Sequence, residues 1–215
     1  GGFDRKMGFA TREQLAKAGI NSLVTPSNCA YGNPNPTAAE KKAYANQSIE
    51  SSFQFLTLLG RIFDRQDKAA SVVAGLRARV DAVRKRVAGK PRPHVLIAFP
   101  GMSMMNANGL PAVFGGGIFD DVVRAAGGVN SFEGATADSV STLNKEALAK
   151  AEVDVLVVGL FTAKEKAKAY AEQLFAAYPA WNASKTKTWV AAQDGLYLGP
   201  LNAWAVEKIA KVAHP

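Results

Sequence analysis

Residues 67–87 read DKAASVVAGLRARVDAVRKRV. Val73, Leu76, Val80, Val83 and Val87 recur at spacings of three and four, which places them on one stripe of an α-helix. The other faces carry Arg77, Arg79, Asp81, Arg84, Lys85 and Arg86. At 1.5 Å per residue such a helix is roughly 30 Å long, about the diameter of a small domain, so it can reach from one lobe to another. The segments on either side both read as strand-and-helix units. The expectation is therefore two α/β lobes joined by a stiff rod, with something bound between them.

Length and composition leave room for that arrangement. The chain has 215 residues, 48% of them hydrophobic, enough to build a core in one large domain or two small ones. The longest apolar run, 153–161, is interrupted by Asp154 and Gly159 and falls well short of the ~20 residues a membrane helix needs. Nothing after the opening GGFDRK resembles a signal peptide, so an export signal would lie upstream. A single cysteine, Cys29, excludes an internal disulfide and a multi-cysteine metal site. The net charge of +8 would suit an anionic ligand, an acidic membrane surface or nucleic acid. Against nucleic acid, the lysines and arginines are dispersed over helix faces, and the densest basic stretch, 77–90, has no interleaved aromatic residues for stacking.

From the rod toward the amino end, residues 38–62 form one helix with Ile49, Phe53, Leu56 and Gly60 on its buried side. Before it, a polar loop at 26–37 contains Cys29 and Tyr31, and a short helix at 11–18 precedes a strand at 21–25. Toward the carboxyl end, a proline-punctuated linker opens onto a strand at 94–99. A long loop at 100–117, rich in Gly, Met and Asn, and a helix at 118–126 follow. Further elements are a helix at 144–151, a nearly all-apolar strand at 153–160, a helix at 164–175, a strand at 187–192 and a helix at 203–213. The uninterrupted apolar strand predicts a parallel sheet buried on both faces. These elements divide the chain into a partial amino-terminal α/β lobe (1–66), a connecting helix (67–89) and a carboxyl-terminal α/β lobe (90–215).

Several local motifs, in this order, resemble the class III periplasmic solute-binding proteins of ABC importers, the group that captures ferric siderophores, haem and cobalamin. They are 14–20 (QLAKAGI), 59–63 (LGRIF) ahead of the rod, 119–130 (FDDVVRAAGGVN), 143–148 (LNKEAL) and 153–158 (VDVLVV). The resemblance covers nearly the whole chain. It implies two lobes on one rigid helix, little hinge motion, an extracytoplasmic location with a lipid anchor as one option, a monomer, and an ABC permease as partner. It implies no enzymatic activity and no cofactor beyond the captured chelate. The family begins with several further strands and helices, so this chain reads as lacking the opening part of its first lobe.

The resemblance also aligns Glu146 with the second-lobe glutamate that docks on arginines of the permease. At the start of a helix capped by Asn144, the same carboxylate is also a favourable partner for the helix dipole. Three segments should face the ligand, because ligands of open α/β sheets gather beyond the carboxyl ends of the strands. They are the opening stretch with Phe3, Arg5 and Lys6, the loop around Tyr31, and the loop with Met102, Met104, Met105, Asn106 and Asn108. Arg5 would form bidentate bonds to a carboxylate or catecholate, and the methionines would line an apolar ring. Tyr197 and Trp204 flank Gly199-Pro200 and offer faces for stacking. Haem calls for an axial His or Tyr. His94 and His214 are poorly placed for that, leaving Tyr31 or Tyr197, which puts a ferric siderophore ahead of haem, with cobalamin open. The glycine run at 115–117 supports a rival reading, an α/β enzyme holding a nucleotide or sugar phosphate on backbone N–H groups. It lacks the lysine and hydroxyl of a phosphate-binding loop, and the chain shows no nucleophile elbow.

Overall fold

In the computed structural model, residues 10–30, 33, 35–105, 108–135, 143–160, 162 and 164–215 are described. The described chain forms two compact units, residues 1–47 and 48–215. The larger unit is organised by two strands, β1 (His94–Phe99) and β4 (Val155–Gly159), paired in parallel from Val95–Val155 to Ala98–Val158. Their side chains alternate between two cores. Val95, Ile97, Phe99, Val155 and Val157 point to one face, and Leu96, Ala98, Leu156 and Val158 to the other. Period-two alternation with apolar residues at both phases is what a sheet covered on both faces requires.

β5 (Trp189–Ala192) extends the sheet in parallel beyond β4. The other edge of β1 is shared. Its first residues pair in parallel with β3 (Val129–Asn130), and its last three pair antiparallel with β2 (Ala112–Phe114). β2 and β3 both lie in segments that the sequence reads as loop or turn. Strands of two and three residues are too short to show a periodicity, and only the exposed edge of β1 gives them a partner.

The first face is covered by α3 (Ile49–Ile62), α4 (Gln66–Val87), α5 (Gly117–Ala125) and α9 (Asn202–Ala213). The second is covered by α6 (Lys145–Lys150), α7 (Ala167–Ala177) and α8 (Asn182–Thr186). α4 is unbroken over 22 residues, and Leu76, Val80, Val83 and Val87 are its buried stripe. That stripe packs on α3, α5 and α9 of the same unit. The larger unit therefore begins at Ser48, ahead of the boundary at 66 read from the sequence, because α3 crosses α4 too closely to belong elsewhere. A Cβ on Gly60 would collide with that of Ala69.

The helix expected at 38–62 is two helices, α2 (Ala38–Ala45) and α3. Ser48 ends the continuity by capping α3, its hydroxyl accepting from the Ser51 N–H at 3.3 Å. In the smaller unit, α1 (Arg12–Lys17) and α2 each begin with a capping box, Thr11 with Gln14 and Thr37 with Glu40. The Gln47 amide donates to the Ser27 carbonyl and Asn28 Oδ1, both at 2.7 Å. The strand expected at 21–25 is not formed among the described residues, where that segment has no ladder partner. Backbone groups make a strand only when a neighbouring strand takes up their hydrogen bonds.

Candidate functional site

Three parallel strands end together, and the segments beyond their carboxyl ends form the candidate site. A 3-10 turn, Pro100–Met105, follows β1, the segment at 160–166 follows β4, and the loop at 193–201 follows β5. Such a convergence is where open α/β sheets place ligands. The turn after β1 lies close to the segment after β4, so that a Cβ on Gly101 would meet the carboxylate end of the Glu165 side chain. That carboxylate accepts from the Thr162 N–H at 2.6 Å.

On the first face, this end of the sheet carries four aromatic rings. Phe99 meets Phe114 edge-on, with centroids 5.0 Å apart and an interplanar angle of 76°. Phe119, in the first turn of α5, lies 4.8 Å from Phe114. Tyr197 lies 5.9 Å from both Phe99 and Phe119 and 6.5 Å from Phe114. Phe99 is fully buried, whereas Tyr197 keeps 37% of its surface open. Edge-on and tilted contacts fix the rings against one another, with Tyr197 at the exposed end of the group.

Of the other residues singled out from the sequence, Met102 is half-buried and packs on the first-face core. The Met104 backbone lies in the turn after β1. Asn108 closes its own loop, donating to the Leu143 carbonyl at 2.8 Å and accepting from the Leu110 N–H at 3.1 Å. Phe3, Arg5, Tyr31 and Asn106 lie outside the described residues. Trp204 does not join the Tyr197 cluster. The Arg79 guanidinium covers its ring at 4.1 Å and bonds both oxygens of Glu207, at 2.8 and 2.6 Å. Those bonds to Glu207 hold Arg79 above its ordinary pKa, as those to Glu50 do for Arg77. A groove of about 370 Å³ between α3 and α4, with Val73 and Ala74 in its wall and Arg77 at its rim, is formed by helices alone.

Glu146 stands in the first turn of α6, with Asn144 Oδ1 accepting from the Ala147 N–H at 2.8 Å. Its carboxylate is exposed and pairs with Lys150 at 2.6 Å. Because Asn108 ties the loop after β1 to Leu143, the start of α6 lies at the same end of the sheet as the aromatic cluster. The two histidines do not. His94 Nδ1 is at the amino end of β1, 3.2 Å from Glu152, and His214 Nε2 is enclosed where Gly127 and Val87 meet. The glycine run is used for packing, since a Cβ on Gly115 would strike the Phe132 carbonyl and one on Gly116 the Ala135 carbonyl. Those carbonyl oxygens border the run.

The sequence is matched over residues 4–190 by the family model of a periplasmic binding protein. The chain belongs to the periplasmic binding protein family. That family consists of solute-binding transport components and is not a family of enzymes. No curated protein matches the sequence. Among solved structures, the fold is similar to an ABC-type Fe3+-hydroxamate transport protein from Saccharomonospora viridis, at 25% identity and TM-score 0.68, covering 95% of this chain and 66% of that one. It is also similar to a periplasmic binding protein from Veillonella parvula, at 17% identity and TM-score 0.75, covering 99% of this chain and 67% of that one. A periplasmic haem-binding protein from Pseudomonas aeruginosa shares 20% identity at TM-score 0.57, over 84% of this chain and 69% of that one. The chain thus spans about two thirds of the length of these structures.

Three features of the site were hidden in the sequence. Phe114 lies in a segment read as loop, Phe119 in a helix read for its family motif, and Phe99 at the last position of a strand. Their shared feature is that they meet on one face of the sheet, which depends on register.

Proposed function

We propose that this chain is the solute-capturing component of an ABC importer, acting outside the cytoplasm. Its cargo is a ferric chelate that brings its own donor atoms, with ferric siderophores of the hydroxamate type as the first class to test. The observation that carries the reading is the aromatic group of Phe99, Phe114, Phe119 and Tyr197 on the first face of the sheet, with Tyr197 in the loop that follows β5 and both histidines placed elsewhere. A chelate whose iron is already coordinated needs shape and an apolar or aromatic surface, whereas haem requires an axial side chain from the protein, a role that with both histidines elsewhere falls to Tyr197 or Tyr31. The ferric-hydroxamate transport protein named above supports the same class at 25% identity. Haem and cobalamin remain the competing cargoes within the family.

In this reading Glu146 is the carboxylate offered to the permease. It is exposed, at the site end of the unit, and its pairing with Lys150 is a surface contact that an arginine can displace at little cost. Lipid anchoring and a monomeric state belong to the same proposal.

Titration of the protein with ferrioxamine B, haemin and ATP, followed by tryptophan fluorescence, tests the assignment. Saturable quenching by the ferric trihydroxamate is the expected result. Saturation by haemin with a shifted Soret band moves the cargo to haem, and binding of ATP alone overturns the transport reading in favour of a nucleotide-binding enzyme. Glu146→Arg should abolish uptake in cells and leave ferrioxamine B affinity unchanged; a loss of affinity removes the docking role.

A further inference from the structure

The loop carrying Tyr197 is held by a polar network that the aromatic wall itself does not explain. Ser52, on α3, is fully buried, and Asn202, which opens α9, is 1% exposed. The Ser52 hydroxyl donates to Asn202 Oδ1 at 2.5 Å and accepts from the Gly199 N–H at 3.1 Å. The two hydrogens of the Asn202 amide go to the carbonyls of Gly195, at 2.7 Å, and Tyr197, at 2.8 Å. The hydroxyl donor and both amide hydrogens are therefore used, and the two carbonyl partners fix which way the amide faces. Gly195 is pressed so closely on α9 that an added Cβ would lie 2.9 Å from both the Ala205 Cβ and the Leu201 carbonyl. Three backbone groups of one loop, at 195, 197 and 199, thus depend on two side chains about 150 residues apart in the chain.

We propose that Ser52 and Asn202 are positioning residues for ligand recognition, holding the 195–201 loop so that Tyr197 presents its ring to the cargo. This rests on the capture reading above. A fully satisfied buried network has one low-energy arrangement, which is how a loop is given the precision of a strand. Ser52 lies outside the segment from which the loop comes, so α3 sets the geometry of a wall to which it contributes no contact surface.

Ser52→Ala removes the donor to Asn202 and the acceptor for Gly199 while leaving the ring of Tyr197 untouched. Hydrogen exchange followed by mass spectrometry on the unliganded protein is expected to show amides of 195–201 exchanging at least about tenfold faster, with β1 and β4 peptides unchanged. Ferrioxamine B affinity is expected to fall about tenfold in the wild-type background and less than about twofold in a Tyr197→Ala background, since Ser52 acts through Tyr197. Ser52→Cys, of similar size with a weaker donor, should lie between serine and alanine, and serves alone if Ser52→Ala does not fold. Unchanged exchange in the loop overturns the anchoring. Equal affinity losses in the two backgrounds overturn the role in recognition and leave a structural one. If the wild-type protein binds neither ferrioxamine B nor haemin, the capture reading falls, and the exchange result decides the anchoring by itself.

Discussion

Two aromatic groups sit on opposite faces of the same sheet. On the second face Tyr178 stacks on Trp181, with centroids 4.5 Å apart and planes 14° from parallel. Both are almost completely buried, at 4% and 2% exposure, and the indole N–H donates to the Leu148 carbonyl at 3.0 Å. On the first face Tyr197 meets three phenylalanines edge-on or tilted and leaves 37% of its surface open. Both groups are aromatic, and each contains a tyrosine. What differs is that the Tyr178–Trp181 stack has no free face, whereas the Tyr197 group ends at the surface beyond the strand ends. Aromatic side chains therefore do not by themselves separate closed core from open surface; closure of the packing around them does.

Trp181→Ala is the hardest test of that contrast. It empties the centre of the second-face core and should lower unfolding free energy by about 3–5 kcal/mol in urea denaturation. Chelate affinity in the folded fraction should be unchanged. Gly159→Ala probes the junction of the two regions. The new Cβ would press into the Phe99 ring, the floor of the open cluster, and should cost about 1–3 kcal/mol with a changed near-ultraviolet dichroism spectrum. Tyr197→Ala reverses the pattern of Trp181→Ala. Its stability effect should stay under about 1 kcal/mol. Ferrioxamine B affinity should drop about tenfold, which corresponds to roughly 1.4 kcal/mol. A loss of stability without a loss of affinity would make Tyr197 a core residue and erase the contrast.

The smallest effect is in pH dependence. Burial raises the Tyr178 phenol above its ordinary value of 10.0, because the ionised form is poorly solvated there. The folded chain therefore keeps a proton that the unfolded chain releases. Stability is unaffected below that ordinary value and declines as pH rises through and above it. Urea midpoints measured at about pH 9 and about pH 11 should fall further apart in the wild type than in Tyr178→Phe.

The apolar run at 153–160 was enough to read a doubly covered parallel sheet, and the stripe from Val73 to Val87 was enough to read α4. Caps were legible too, at Thr11 and Asn144. The polar stretch Asn46-Gln47-Ser48 marks the break between α2 and α3 only weakly in the sequence, and the hydroxyl bond of Ser48 to the Ser51 N–H shows that a helix starts there. β2 and β3 were missed because they exist only as partners of β1. For the site, the sequence pointed to Tyr197 through its place after a strand. It paired Tyr197 with Trp204, which the fold turns toward Arg79 instead.

The sequence by itself determined the layered α/β unit, since hydrophobic period and capping are properties of neighbours along the chain. It also carried the family, through the order of short motifs. Only the tertiary structure decided which rings meet at the carboxyl edge, and that Ser52 and Asn202 tether the loop behind Tyr197. Those relations join residues up to about 150 positions apart. Contacts at that separation are set by strand register and helix crossing, which no local pattern encodes.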